Sequence, residues 1–117
     1  MIVIEIDNIS NLNLNRYRNT HYFQLNKLKR DFEALMTPKL RGLKLKPPIK
    51  LTFEVYKSRK INYDLDNIVI AAKFFNDALK VHGCIPDDGV RYIDSLAFLH
   101  GGYGKEDKII VKIEESK

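Results

Sequence analysis

The stretch IKLTFEVYKSRKINYDLDNIVIAAKFFNDAL, residues 49–79, changes its hydrophobic period partway along the chain. In residues 49–57 apolar side chains alternate with Lys, Thr and Glu, and a period of two predicts a half-buried strand. From Ile68 onward the apolar residues recur at helical spacing, so an amphipathic helix is expected there. A strand that leads so directly into a helix favours a sheet with helices packed on it.

The flanking segments extend this pattern. Apolar spacing from about Thr20 predicts a first amphipathic helix that ends at Thr37-Pro38. Three further apolar runs predict strands, at residues 1–6, 90–100 and 108–115. The last two are expected to form a hairpin across GGYGKED, whose glycines allow a turn. The predicted fold is α/β (α+β): one domain over residues 1–117, with a mixed sheet of about four strands and two helices in the order β-α-β-α-β-β.

Length and composition place the chain among soluble, single-domain proteins. A chain of 117 residues removes roughly two thirds of its unfolded surface from water and can build its own core. No apolar run approaches the roughly 18 to 20 residues that span a bilayer, and the first residues lack the pattern of a secretory signal. The lone Cys84 excludes an internal disulfide and fits a reducing, cytoplasmic setting.

The charge of the chain is unevenly distributed. The net charge is +5, but residues 1–63 hold thirteen Lys or Arg against five Asp or Glu, a net +8. Residues 64–117 hold seven against ten, a net −3. The first half is therefore suited to hold a polyanion while the second presents acids to it.

Acidic residues flank the second predicted helix. Asp64 and Asp66 are two positions apart, so on an extended segment both side chains leave the same side of the backbone. Two carboxylates about 5 Å apart repel by roughly 3 kcal/mol at an effective dielectric near 20, which favours a bound cation. Hard oxygen ligands suit magnesium, and a bound magnesium ion supports phosphodiester cleavage. The alternative is that these acids cap the helix, with Asp66 or Asn67 as the N-cap.

A longer motif resembles the RusA family of Holliday-junction resolvases. It consists of DLDN after a basic segment, a helix that carries a Lys and DAL, and DD eleven residues beyond the helix Asp. The resemblance implies that Asp64, Asp66 and Asp88 are metal-binding catalytic acids and that Lys73 is the active-site lysine. Asn67 and Asp87 belong to the same motif and would support the ligands. The lysine lies six residues after the Asn here, rather than three as in the family pattern.

The resemblance also implies an activity, a cofactor and partners. The activity is metal-dependent cleavage of four-way DNA junctions in recombination and repair, with Mg²⁺ as cofactor and Mn²⁺ as a substitute. Matched cuts in two strands call for a homodimer with two sites. Family members are often phage-encoded, which points to a bacterial cytoplasm or a prophage.

Several further residues have expected roles. Lys57, Arg59 and Lys60 directly precede the acids and are expected to contact phosphates. By the resemblance, Arg16 and Arg18 are additional DNA contacts. Asp77 is expected to be structural, paired with Lys73 one helical turn away.

Two alternatives remain open at this point. The first is a non-catalytic nucleic-acid-binding protein, in which the basic half grips DNA and the acids only cap helices. The second is a nuclease with the same chemistry that acts on other branched or single-stranded DNA. Both the binding protein and the nuclease predict salt-sensitive DNA binding, whereas only the nuclease predicts cleavage.

Overall fold

In the computed structural model, residues 1–7, 22–60 and 62–115 are described, apart from the side chains of Tyr22 and Asn67. The elements are β1 (Ile2–Asp7), α1 (Tyr22–Leu40), β2 (Ile49–Lys57), a 3-10 turn (Leu65–Ile68), α2 (Val69–Val81), β3 (Ile93–Tyr103) and β4 (Lys108–Glu115). The predicted α+β class, the element order, the two helices and the four-stranded mixed sheet are confirmed. Neither described helix is long and apolar enough to cross a membrane.

The sheet has the strand order β1-β4-β2-β3. β4 pairs antiparallel with both β1 and β2, whereas β2 and β3 pair in parallel. β1, β2 and β3 therefore run in the same direction, and their last residues, Asp7, Lys57 and Tyr103, lie at one end of the sheet. We call this the carboxyl end of the sheet and the opposite end its amino end.

The predicted hairpin between the last two strands is wrong, because β2 lies between β3 and β4. β2 buries an apolar residue at every second position on the helix-covered face. A strand with this pattern is stabilised most at the centre of the sheet, where both of its edges form backbone hydrogen bonds. The connector from β3 to β4 passes around the carboxyl end of β2. It is held there by the Gly104 N–H, which donates to the Lys57 carbonyl over 2.9 Å.

β3 also lies further along the chain than predicted, because two glycines that read as a turn belong to the strand. The ring of Tyr56 packs over Gly101, where a Cβ atom would come within 2.5 Å of the ring. A residue without a side chain is therefore required for Tyr56 to lie flat on the neighbouring strand.

The core lies between the two helices and one face of the sheet. Phe75 of α2 meets Phe53 of β2 edge to face at 5.9 Å, and Phe53 stacks on Phe98 of β3 at 5.3 Å. Phe32 of α1 and Phe74 of α2 join the helices at 5.9 Å. This aromatic column fixes α2 above β2 and β3, which positions both ends of α2 relative to the sheet.

The helix ends differ from the predictions in two places. α1 continues through Pro38 to Leu40, because a proline in the last turn removes only one terminal hydrogen bond. α2 is preceded by the 3-10 turn, which contains Asp66, and its N-cap is Ile68 without a side-chain bond. The expected N-cap role of Asp66 is therefore wrong, whereas His82 ends α2 as predicted.

Candidate functional site

The segment with the first acid pair leaves β2 at the carboxyl end of the sheet. Asp64 has extended backbone angles, φ −94° and ψ 126°, and stands at the N-cap of the 3-10 turn without a side-chain capping bond. Asp66 occupies the turn itself, and both residues are exposed. Asp64 forms no side-chain capping bond, and both carboxylates are accessible to solvent.

An aromatic cluster anchors this acidic segment to β3. The Tyr63 hydroxyl shares a hydrogen bond with Nδ1 of His100, and the His100 ring meets Tyr103 at 4.8 Å. Burial, and then the neighbouring Tyr103, raise the pKa of Tyr63. We call Tyr63, His100 and Tyr103 the aromatic cluster. It fixes the backbone next to Asp64 against the last residues of β3.

The basic segment lies beside the aromatic cluster. Lys57 places its ammonium group 5.4 Å from the centre of the Tyr63 ring, a cation–π distance. Arg59 and Lys60 are exposed. Lys57 is therefore adjacent to the acidic segment in the folded chain.

Asp107 holds the basic segment in place. Its Oδ1 accepts hydrogen bonds from the Ser58 N–H at 2.7 Å and from the Ser58 hydroxyl at 3.0 Å. The Ser58 backbone bond is the main cause that lowers the pKa of Asp107, with smaller effects from the Ser58 hydroxyl, Lys57 and Arg59. Asp107 thus ties the start of the basic segment to the connector between β3 and β4.

We expect Asp107→Asn to lower the free energy of unfolding by about 1 kcal/mol at neutral pH, since a charged acceptor is lost from a partly exposed site. The folded-state pKa of Asp107 lies below 3.8, so its stabilisation is present above that pH and is lost as the pH falls through the folded-state value. Urea unfolding at neutral pH and at about pH 3 should show the difference shrinking in acid. Asp31→Asn is the control, because Asp31 forms only an exposed pair with Lys27. An unchanged difference in acid would contradict this account.

The second acid pair lies at the other end of α2. Asp87 accepts a hydrogen bond from the Asp88 N–H at 2.9 Å and pairs with Lys80 at 3.4 Å. These contacts, the backbone bond first, lower the pKa of Asp87. Asp88 is half-buried. Asp87 is therefore directed toward the last turn of α2.

The length of α2 separates the two acid pairs within one chain. Its 13 residues span about 20 Å. β3 begins at Ile93, which is opposite Ile49 at the start of β2, so the loop with Asp88 lies at the amino end of the sheet. The three predicted metal ligands are thus not brought together in a single copy, and their shared role stays a prediction.

The remaining predicted site residues fall into two groups. Lys73 is exposed on α2, and Asp77 pairs with Lys29 of α1 at 3.2 Å. Asp77 therefore joins the two helices, which agrees with a structural role. Arg16, Arg18 and the side chain of Asn67 lie outside the described residues.

A different acidic group, which the sequence did not reveal, could hold a metal ion. Oxygens of Glu5, Asp7 and Glu106 lie within 4.8 Å of one another. Glu5 already pairs with Lys108 at 3.0 Å, and Asp7 Oδ1 is buried without a hydrogen-bond partner among the described residues. No local motif predicts this group, because the pairing of β1 with β4 brings together residues from the two ends of the chain.

The chain was also compared with known proteins. No family model matches it, and no curated protein matches it. Function is therefore inferred from the residues and their placement.

Proposed function

We propose that this protein is a metal-dependent endonuclease that resolves four-way DNA junctions. The observation that carries the proposal is the acid motif: Asp64 and Asp66, two positions apart on an extended segment, exposed and not used as helix caps. They lie at the carboxyl end of the sheet, where ligand sites of open sheets with parallel strands are common. The proposed preference for four-way junctions is inferred from the wider motif, which resembles that of the RusA family.

The donor set fits a hard divalent cation. Carboxylate oxygens are preferred by Mg²⁺, with Mn²⁺ as a substitute, and Asp64 and Asp66 supply them. The motif assigns Asp88 to the same set of ligands, although in one copy it lies at the amino end of the sheet. When bound, such an ion supplies a water of lowered pKa and offsets charge on the phosphodiester. Asp64 and Asp66 would hold the ion, and the Lys73 ammonium would stabilise charge that develops on the phosphate.

The basic segment supports DNA binding next to the acids. Arg59 and Lys60 are exposed, and Lys57 is held between Tyr63 and Asp107, 4.0 Å from the latter. A cation with fixed neighbours loses less side-chain entropy when it meets a phosphate. We assign these three residues to the phosphates that flank the scissile bond.

Replacing Arg59 and Lys60 together by Gln is expected to weaken junction binding and to reduce its salt dependence. Each lost phosphate contact lowers the slope of log K against log salt by about 0.9. The measurement is binding of a labelled junction without divalent metal across a salt series. Lys27→Gln together with Arg30→Gln is the control, since both residues are exposed on α1. An equal loss of slope in the control would mean that Arg59 and Lys60 do not contact the DNA specifically.

A non-catalytic binding protein is the second candidate, and one observation favours it: the three predicted acids are not gathered in a single copy. A panel of labelled four-way junctions, three-way junctions, duplexes and single strands with Mg²⁺ separates the candidates. Our proposal predicts cleavage that is greatest on the four-way junction and is abolished by a chelator. Binding of the junction with every strand left intact would support the binding protein instead.

A further inference from the structure

A hydrogen bond between the Tyr63 hydroxyl and Nδ1 of His100 connects the acidic segment to the sheet. Tyr63 directly precedes Asp64, whereas His100 belongs to β3. The two rings also meet edge to face, with their centres 5.5 Å apart. The residue next to the first acid is thus held by a paired strand of the sheet.

Regular structure contributes little to holding the acids of this segment. Residues 58–60 and 62–64 belong to no helix or strand, and the 3-10 turn that contains Asp66 has four residues. Asp64 forms no side-chain capping bond. An irregular segment that is ordered only when a ligand binds loses backbone entropy at that moment, and this loss weakens binding. An anchor that orders the segment beforehand therefore raises its affinity for the ligand.

Further contacts restrict the two rings. The ring of Tyr103 lies 4.8 Å from that of His100, and the Lys57 ammonium lies 5.4 Å from the centre of the Tyr63 ring. Ring contacts fix a side chain less closely than a hydrogen bond does, because a hydrogen bond requires both a short distance and a favourable angle. The hydrogen bond is therefore the contact that sets the position of Tyr63 and, with it, the backbone of Asp64.

We infer that Tyr63 and His100 are positioning residues, whose hydrogen bond holds Asp64 and Asp66 in the arrangement that binds the divalent cation. The inference rests on the proposed function for the role of that cation. Removing a group that orients metal ligands without touching the metal weakens metal binding by roughly 10- to 100-fold. The expected effect is therefore on the affinity for the metal and not on the rate of cleavage once the metal is bound.

Substitutions at the two positions separate the hydrogen bond from the ring contacts. Tyr63→Phe and His100→Phe each keep a ring and lose the bond, so each should raise the Mg²⁺ concentration for half-maximal junction cleavage by about tenfold. The rate at saturating Mg²⁺ should stay close to that of wild type. The double variant should lose no more than either single variant, because the same bond is absent in all three. His100→Asn loses the ring, but its amide can donate or accept at the position of Nδ1, so it should retain most of the wild-type affinity.

A manganese titration followed by NMR tests the inference without any activity. Bound Mn²⁺ broadens the signals of nearby amides, so the Asp66 amide reports on this site separately from the acidic group that includes Asp7 of β1. Tyr63→Phe should need about ten times more Mn²⁺ than wild type for the same broadening. Tyr56→Phe is the matched control, because it removes a hydroxyl that donates to Glu54 over 3.3 Å within β2. It should titrate like wild type.

Several results would overturn the inference. One is a His100→Asn variant that binds metal as weakly as His100→Phe, and another is an equal loss of affinity in Tyr56→Phe. Unchanged affinity in Tyr63→Phe, or a wild-type Asp66 signal that does not respond to Mn²⁺, would also overturn it. If wild-type protein binds Mn²⁺ at the acids but cuts no DNA, the proposed function fails, and the titration still decides the role of the two positioning residues.

Discussion

Asp66→Asn is expected to lower the rate of junction cleavage by about a thousandfold while leaving junction binding nearly unchanged. Asn keeps the size of the side chain and one oxygen, but it removes the charge that holds a divalent cation. Because one negative charge near the DNA is also removed, affinity in the absence of metal should stay equal or rise slightly. Cleavage with saturating Mg²⁺ and binding with a chelator measure the two quantities separately.

The control for this variant is Asp31→Asn, an exposed acid on α1 whose carboxylate pairs with Lys27 at 3.2 Å. It should cleave at the wild-type rate. A fall in both binding and cleavage for Asp66→Asn, together with a lowered melting temperature, would mean that Asp66 acts through the fold. Unchanged cleavage would mean that Asp66 is not a metal ligand.

Phe75→Ala is expected to lower the free energy of unfolding by about 3 to 5 kcal/mol. Phe75 is fully buried and meets Phe53 edge to face at 5.9 Å, so truncation leaves a cavity where α2 rests on the sheet. A loss of this size is a large part of the total stability of a small domain. Urea unfolding followed by circular dichroism measures it.

Phe23→Ala provides the matched control, since Phe23 lies on α1 and is 74% exposed. Its truncation should cost less than about 1 kcal/mol. Equal losses for the two variants would contradict the placement of the core between α2 and β2.

The sequence predicts the strands and helices well where one face of each is buried. β2 and β4 have the bounds that their alternating patterns indicate, because each alternation records which side chains meet the helices. The order of the strands was not predictable in the same way. Nearness along the chain favoured a hairpin of β3 and β4, whereas the fully buried alternate residues of β2 require a strand on each side of it.

In the candidate site, too, the local features were predictable and the contacts made by strand pairing were not. Asp64, Asp66 and the basic segment are neighbours in sequence, so a local motif was sufficient to indicate them. His100 and Tyr103 reach Tyr63 only because β3 pairs beside β2, and no local pattern gives that contact. The position of Asp88 likewise depends on the direction of β3, which places it at the amino end of the sheet rather than beside Asp64.

The most direct measurement maps the cuts that wild-type protein makes in a four-way junction with each strand labelled in turn. With Mg²⁺ we expect paired cuts at symmetric positions in two opposed strands, and none when the metal is chelated. Strands that stay intact with Mg²⁺ and with Mn²⁺ over a range of pH, while the folded protein still binds the junction, would contradict it.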